Sequence, residues 1–459
     1  MFLKKIVSDQ IAHFSYFLGS NGEAAIIDPR RDHHIYLDIA NEKDVEIKYI
    51  FETHRNEDYL IGSKELQEVT DAKILHGHKL DFEYGDSVTE NETFQIGSLE
   101  LKILETPGHT DESISITVKD LAISPEEILV FTGDTLFAGD TGRIDLYGEN
   151  EKNRLAKQLF QSIHKKILTL GDEVIICPAH GKGSVCGANI GELEYTTIGF
   201  EKKTNHQLAK TLQEFINLKT SEVHRVPPYF SKMETENKKG PNVKHHLPFL
   251  TSLSVDECRK LKKKNAQMLD IRNPTSFSTA HIPGCINIWS EGVAIFSGWF
   301  LDYDNPIILI DENNDQLKNV IRYLFRLGYD NLYGYLKNGF SSWYANAEEV
   351  ESIDVWTVSQ LFDHLEDDSI FIVDVREQST RLNDGYIKGS THIFVGDLEE
   401  NLSLIPKEKT VVLYCGLGNK TSIGCSILKK HNYPKMVNLL GGMSAWTKAE
   451  YPIVENSEK

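Results

Sequence analysis

At 459 residues the chain is too long for one ordinary hydrophobic core, so several domains are expected. Apolar residues make up 40% and charged residues 25%, an ordinary balance for a globular protein in water. The net charge of −19 argues against nucleic acid, whose phosphates need clustered Lys and Arg, and against an anionic membrane surface.

No stretch approaches the roughly 18 consecutive apolar residues of a membrane-spanning helix. The N-terminus lacks a long apolar segment followed by a small-residue cleavage site. The cysteines (Cys177, Cys186, Cys258, Cys285, Cys415 and Cys425) are too sparse for a disulfide framework and read as reduced thiols. A cytoplasmic location is therefore expected.

From residue 1 to 200, four apolar runs each end in potential ligands. Ile47–Phe51 leads to His54 in "THRNEDY", and Leu101–Leu104 to His109 in "ETPGHT". Ile128–Phe131 leads to Asp134 in "TGDTLF", and Val174–Ile176 to His180 in "CPAHG". Buried strands that deliver polar residues at their ends build a site on rigid elements. Residues 201–251 are expected to form one helix over 201–218 and then an extended linker, given the Pro-rich, polar "VPPYFSKMETENKKGPN".

The second half repeats itself. "MLDIRNPTSFSTAHIPGCINI" recurs as "IVDVREQSTRLNDGYIKGSTHI", and "NGFSSW" as "GGMSAW". Asp270 and Asp374 are 104 positions apart, as are Asp311 and Cys415. A period sustained over so many segments means a duplicated domain, over 252–350 and 354–455. Short apolar strands alternate with helical stretches in each copy, which predicts α/β domains with parallel sheets.

The N-terminal motifs resemble the metallo-β-lactamase superfamily, glyoxalase II included, which implies an αββα sandwich over 1–200. That pattern usually reads H-x-H-x-D-H, whereas here it runs His54, Asn56, Asp58, Tyr59. The resemblance would assign His54, a second His at 56, His109 and Asp134 to one metal. Asp58, a His at 59, His180 and Asp134 would serve the other. Asn56 and Tyr59 remove one nitrogen from each set, so two-zinc hydrolysis is not expected. What survives is His54, His109 and Asp134, two imidazoles and a carboxylate with open positions, the face used by non-haem Fe(II) oxygenases.

The persulfide dioxygenase branch of that superfamily uses this subset for a single iron. "GDTLFAGDTGRIDL" and "AHGKGSVCG" are also similar to that branch. The resemblance thus implies one Fe(II) per chain, with zinc the second choice, and Arg143 as an anion or thiol-substrate contact. Asp58 and His180 are expected either to hydrogen-bond around the ligands or to be a vestige of the lost second site. Asn56 lines the same pocket, and Tyr59 either donates into it or packs on its wall. Cys186 is open between a core thiol and a redox or persulfide role.

The repeats resemble rhodanese sulfurtransferase domains, whose active loop is C-x-x-G-x-R-[ST]. The second copy has Cys415, Gly416, Leu417, Gly418, Asn419, Lys420 and Thr421, with Lys for the usual Arg. Glycines that let backbone N–H groups point at sulfur, a following helix dipole and Lys420 all favour a nucleophilic thiolate and a persulfide on it. The first copy has Asp311-Glu312-Asn313-Asn314-Asp315-Gln316 at this place, with no thiol, and is expected to be catalytically silent.

Together these resemblances imply an enzyme of two activities. A low-molecular-weight thiol persulfide is oxidised by O2 to sulfite and thiol, and thiosulfate then forms through a Cys415 persulfide. The alternatives are a glyoxalase-II-like thioester hydrolase, or a metal-free scaffold with sulfurtransferase or sulfur-carrier activity only. The identity of the carrier thiol and self-association into a homo-oligomer stay open.

Overall fold

In the computed structural model, strand residues of alternating parity sort into three separate cores. The structure describes residues 1–187 and 189–455. Strands β1 (Phe2–Ser8), β2 (His13–Ser20), β3 (Glu23–Ile27), β4 (Glu46–Glu52), β5 (Lys73–Gly77) and β6 (Asp86–Val88) form one sheet in that order. A second sheet holds β7 (Thr93–Ile96), β8 (Leu99–Glu105), β9 (Ile114–Asp120), β10 (Glu127–Gly133), β11 (Ile175–Pro178) and β12 (Thr196–Thr197).

Tyr16, Leu18, Ala25, Ile27 and Phe51 of the first sheet share one core with Leu101, Ile103, Ile116 and Phe131 of the second. Their neighbours Phe17, Ala24, Ile26 and Ile50 point the opposite way, because successive strand side chains alternate faces. There they meet helices α1 (His34–Lys43) and α2 (Ser63–Thr70) through Tyr36, Ile39 and Leu66. On the far side of the second sheet, Val130 and Ile176 pack on Leu155 and Leu159 of α3 (Lys152–Ser162). Both sheets are covered on both faces, which makes the αββα sandwich expected from the sequence. Strand β9 is antiparallel to β8 and β10, and β10 is parallel to β11. Strands β8, β10 and β11 therefore run in one direction and end on one rim.

The segment after the sandwich corrects the sequence reading. The single helix expected over 201–218 is two, α4 (Ile198–Thr204) and α5 (Leu212–Ser221). Asn205 turns extended after α4, and Thr211 starts α5 with a reciprocal capping box to Glu214, so the chain breaks and restarts. The linker expected to be extended contains α6 (Phe230–Lys239). Pro227 and Pro228 lie just ahead of it, where proline costs no helical hydrogen bond. Phe230, Met233 and Asn237 then fall on one buried face.

The chain divides into two compact units, Met1–Leu247 with Phe325–Gly328, and Pro248–Leu324 with Tyr329–Lys459. The second unit holds two five-stranded sheets in which every pairing is parallel. One contains β13 (Thr251–Leu253), β14 (Gln267–Asp270), β15 (Ile286–Asn287), β16 (Ile307–Ile310) and β17 (Leu332–Leu336). The other contains β18 (Asp354–Trp356), β19 (Ile370–Asp374), β20 (Thr391–His392), β21 (Thr410–Tyr414) and β22 (Met436–Leu439). Their spatial orders, β13-β17-β16-β14-β15 and β18-β22-β21-β19-β20, are the same permutation, so the duplication read from the sequence is a duplication of fold. Even a local ion pair recurs: Arg272 forks onto Asp270, and Arg376 onto Asp374.

Trp446 is fully buried against Tyr414, Leu439 and Met443 in the core of the second repeat. Trp446→Ala should destabilise that repeat by about 3–5 kcal/mol, read as an earlier unfolding transition in denaturant. An unshifted transition would mean that this core does not depend on the indole.

Candidate functional site

The three pocket imidazoles are oriented by what holds their Nδ1 protons. At the end of β4, the Thr53 N–H and hydroxyl both donate to the Asp28 carboxylate, at 2.7 and 2.8 Å. With its own proton used, Thr53 Oγ1 accepts from His54 Nδ1 at 2.9 Å. His109 Nδ1 donates to the Arg143 carbonyl at 2.9 Å, and His180 Nδ1 to Asp134 Oδ1 at 2.7 Å. These acceptors have no proton to give, so all three rings keep a proton on Nδ1 and turn Nε2 into the pocket.

Asp134 Oδ2 lies 3.8 Å from His54 Nε2 and 3.6 Å from His109 Nε2. Gly133 has φ +52°, and a Cβ there would stand 2.6 Å from Thr53 Oγ1, so only glycine lets Asp134 approach the Thr53–His54 pair. The Nε2 atoms of His54, His109 and His180, and Asp134 Oδ2, are buried without a hydrogen-bond partner. Four such atoms converging in one pocket are costly unless something binds them. Imidazoles that donate Nδ1–H to an oxygen and leave Nε2 bare are the usual metal-ligand arrangement. Ligand atoms of His54, His109 and Asp134 all lie within 4.8 Å of one another, a fit for one divalent ion.

The residues at the two altered positions take other roles. Asn56 Nδ2 donates to the His54 carbonyl at 3.3 Å, and Asn237 fastens the Asn56 and Tyr59 carbonyls from α6. Tyr59 is fully buried, its ring 4.1 Å from that of His13. Burial pushes its phenol well above the ordinary range, so it stays protonated and serves as wall.

Arg143 departs from the role expected of it. Its guanidinium is buried, forks onto Asp145 at 2.7 and 2.8 Å, and donates to the Val185 and Arg225 carbonyls. A group so fastened is not presented to substrate. It instead fixes the loop whose carbonyl holds His109.

Glu57 and His13 are part of this pocket and were not singled out in the sequence. Glu57 Oε1 lies 3.4 Å from His109 Nε2 and 3.6 Å from Cys186 Sγ, and its Oε2 has no partner. The adjacent acids "ED" look like a solvated turn, and only the buried loop conformation distinguishes them. Burial would lower the His109 pKa, but Glu57 and then Asp134 raise it to about 9. Burial would raise that of Glu57, but His109 and then His54 bring it down to about 2. His54 falls to about 4, chiefly through burial. Cys186 is fully buried beside Phe137 and Ile190, and lies with Asp58 and His180 rather than on the surface.

In the second unit, Cys415 ends β21 and is buried, and its Sγ accepts from the Gly418 N–H at 3.1 Å. Gly418 has φ +104°, whereas Gly416 has an ordinary negative-φ backbone, so the curl of the loop depends on Gly418. The helix starts at Asn419, so Thr421 is already inside it. Leu417 is exposed, and Lys420 Nζ lies 5.7 and 5.9 Å from the rings of Phe296 and Phe394, one from each repeat. The first repeat keeps the loop shape without the thiol. Asp311 accepts from the Glu312 and Gln316 N–H groups, and its carbonyl receives Phe340 N–H as that of Cys415 receives Met443 N–H. It also grips the helix after the Cys415 loop, through Asn287 to Ser422 and Ser426.

A model described as "Metallo-beta-lactamase superfamily" matches residues 9–180, and one described as "Rhodanese-like domain" matches 254–346 and 357–449. The probable metallo-hydrolase YqgX of Bacillus subtilis is 30% identical over 188 residues, covering 36% of this chain and 84% of that protein. The mitochondrial persulfide dioxygenase ETHE1 of Mus musculus is 26% identical over 224 residues, 47% of this chain and 79% of its own. A crystal structure of a metallo-β-lactamase from Staphylococcus aureus subsp. aureus COL is 31% identical and superposes with a TM-score of 0.66. It covers 73% of this chain and 99% of its own.

In the metal-free chain a proton is held on His109 up to a pH of about 9. A divalent ion must displace it, so binding releases protons and apparent affinity falls as pH falls. Competition against a chromophoric chelator at about pH 6 and about pH 8 should show weaker binding at the lower value. Equal affinity at both would contradict His109 as a ligand.

Proposed function

Because the chain belongs to the metallo-β-lactamase superfamily and carries two rhodanese-like domains behind that fold, we propose that it is a persulfide dioxygenase joined to a sulfurtransferase. The observation that supports this most is the reduced ligand set. His54, His109 and Asp134 converge with unpartnered atoms, while an amide and a protonated phenol stand at positions 56 and 59. The relationship to ETHE1 points the same way.

His54 Nε2, His109 Nε2 and Asp134 Oδ2 would hold one Fe(II). When bound, that ion supplies a face open to both a persulfide sulfur and O2. The substrate is a low-molecular-weight thiol persulfide, R–S–SH. With O2 and water it yields sulfite and the thiol R–SH. Thr53 and the Arg143 carbonyl keep the two imidazoles aimed, and the buried walls formed by Tyr59 and Phe137 limit bulk water.

Cys415 carries the second reaction. Its thiolate attacks the outer sulfur of a persulfide, the S–S bond breaks, and R–S⁻ leaves. Sulfite then attacks the outer sulfur of the Cys415 persulfide, and the bonding pair returns to Cys415 as thiosulfate departs. The Gly418 N–H donates to Sγ beside the N-terminus of the following helix and fixes the sulfur in place at both ends of this cycle. The first repeat has no thiol in the corresponding loop and acts as a support for the second.

Anaerobically purified, iron-loaded protein should consume O2 when given glutathione persulfide as the probe. His109→Ala should cut that uptake by at least about 100-fold, since a lost metal ligand costs no less than a lost outer partner. Cys415→Ser should leave O2 uptake unchanged and abolish thiosulfate formation from persulfide and sulfite. Zinc-dependent thioester hydrolysis without O2 uptake would sink this reading and establish the hydrolase instead.

A further inference from the structure

We propose that Glu57 is a fourth protein ligand of the ion held by His54, His109 and Asp134, so that this chain builds the site from two imidazoles and two carboxylates. The amide of Asn56 is a poor ligand, and the next side chain in the same loop brings a carboxylate into the pocket instead. This role depends on the His54–His109–Asp134 face being a metal site, but not on which reaction the ion serves.

The loop after β4 is pinned on both sides of Glu57. The Arg55 N–H donates to Glu112 Oε1 at 3.0 Å, and Asn237 Nδ2 donates to the Asn56 and Tyr59 carbonyls at 2.7 and 2.8 Å. The Glu57 side chain is 1% exposed, and its Oε1 lies 3.4 Å from His109 Nε2. The Cys186 thiol donates to the same oxygen at 3.6 Å, while Oε2 has no partner. His109 Nε2 thus faces two carboxylates, since Asp134 Oδ2 stands 3.6 Å away. Ligand atoms bonded to one first-row ion at about 2.1 Å are separated by about 3.0–3.4 Å in octahedral or tetrahedral geometry. A separation of 3.4 Å is too long for a good N–H···O bond and suits two ligands of one ion.

Charge decides between a ligand and a bystander. Among the described residues, the salt-bridge neighbour of Glu57 is His109. The guanidinium groups of Arg143 and Arg55 are committed elsewhere, to Asp145 and to Glu234. Once an ion sits on His109 Nε2, that nitrogen has no proton, and the nearest charge to balance Glu57 is the ion's own. A buried carboxylate left without a counter-charge is strongly unfavourable, and ligation removes that cost. The dication in turn meets two carboxylates that balance its charge.

Four ligands also decide what the site can admit. A tetrahedral zinc would have no open position left, as in a structural site, whereas a six-coordinate Fe(II) would keep two. Two is the number that a persulfide sulfur and O2 need together.

The test uses full-length protein carrying glutamate labelled with carbon-13 in the side-chain carboxyl, stripped with a chelator and loaded anaerobically with Fe(II) alone. The iron-minus-apo infrared difference should contain a displaced glutamate carboxylate stretch, and Glu57→Gln should abolish it. In competition against a chromophoric chelator, Glu57→Gln should bind Fe(II) at least about 10-fold more weakly than wild type. Wild-type protein that binds iron with its glutamate stretches unmoved overturns the proposal without reference to any variant. A displaced stretch that persists in Glu57→Gln, or an unchanged affinity, overturns it as well. Wild-type protein that binds no iron overturns the metal reading of the whole pocket, and this ligand with it.

Discussion

The N-terminal pocket depends on which atoms hold the imidazole Nδ1 protons. Asp28 acts through Thr53 on His54, the Arg143 carbonyl acts on His109, and Asp134 acts on His180. Each partner can only accept, so each ring keeps its Nδ1–H on that partner and turns Nε2 into the pocket in one orientation. The αββα sandwich supplies the rigidity, because strands β8, β10 and β11 run in one direction and deliver their last residues to the same rim. Without that rim, four buried unpartnered atoms would not be held so near one another against the cost of burying them.

The second unit shows how one fold builds the same loop on two different residues, Asp311 and Cys415. Both repeats have the same strand permutation, the same Asp–Arg fork and the same backbone closure behind the loop. In one, a sulfur receives a backbone N–H; in the other, the Asp311 carboxylate receives two. In both places the side chain at the strand end accepts loop N–H groups, though from different loop positions, so the loop folds with or without a thiol. The first copy also packs, through Asn287, on the helix that follows the Cys415 loop of the second.

Much of this was legible from the chain alone, because regular strands make it so. His54, His109, Asp134 and His180 each follow an apolar run, and a strand fixes where its end points. The sandwich and the duplicated parallel sheets followed from motif and period. Loops are harder, because side-chain direction there has no period. Glu57, which no sequence pattern singles out, is buried beside His109. Arg143 looked like an anion contact and is instead locked to Asp145. Helix α6 hid behind two prolines that precede its first turn rather than interrupt it. Gly416 and Gly418 looked equivalent, and only Gly418 has the left-handed backbone.

Asp134 has a consequence for how this pocket can change over generations. Its two oxygens do separate jobs, one facing His54 and His109 and the other steering His180. Asn56 and Tyr59, by contrast, each touch only their immediate surroundings. The amide at 56 and the phenol at 59 are accommodated by their local contacts. A change at 134 would disturb both halves at once. The pocket is thus tolerant at its periphery and brittle at one carboxylate, which makes residue 134 the position to read first when judging whether a descendant of this chain has kept its chemistry.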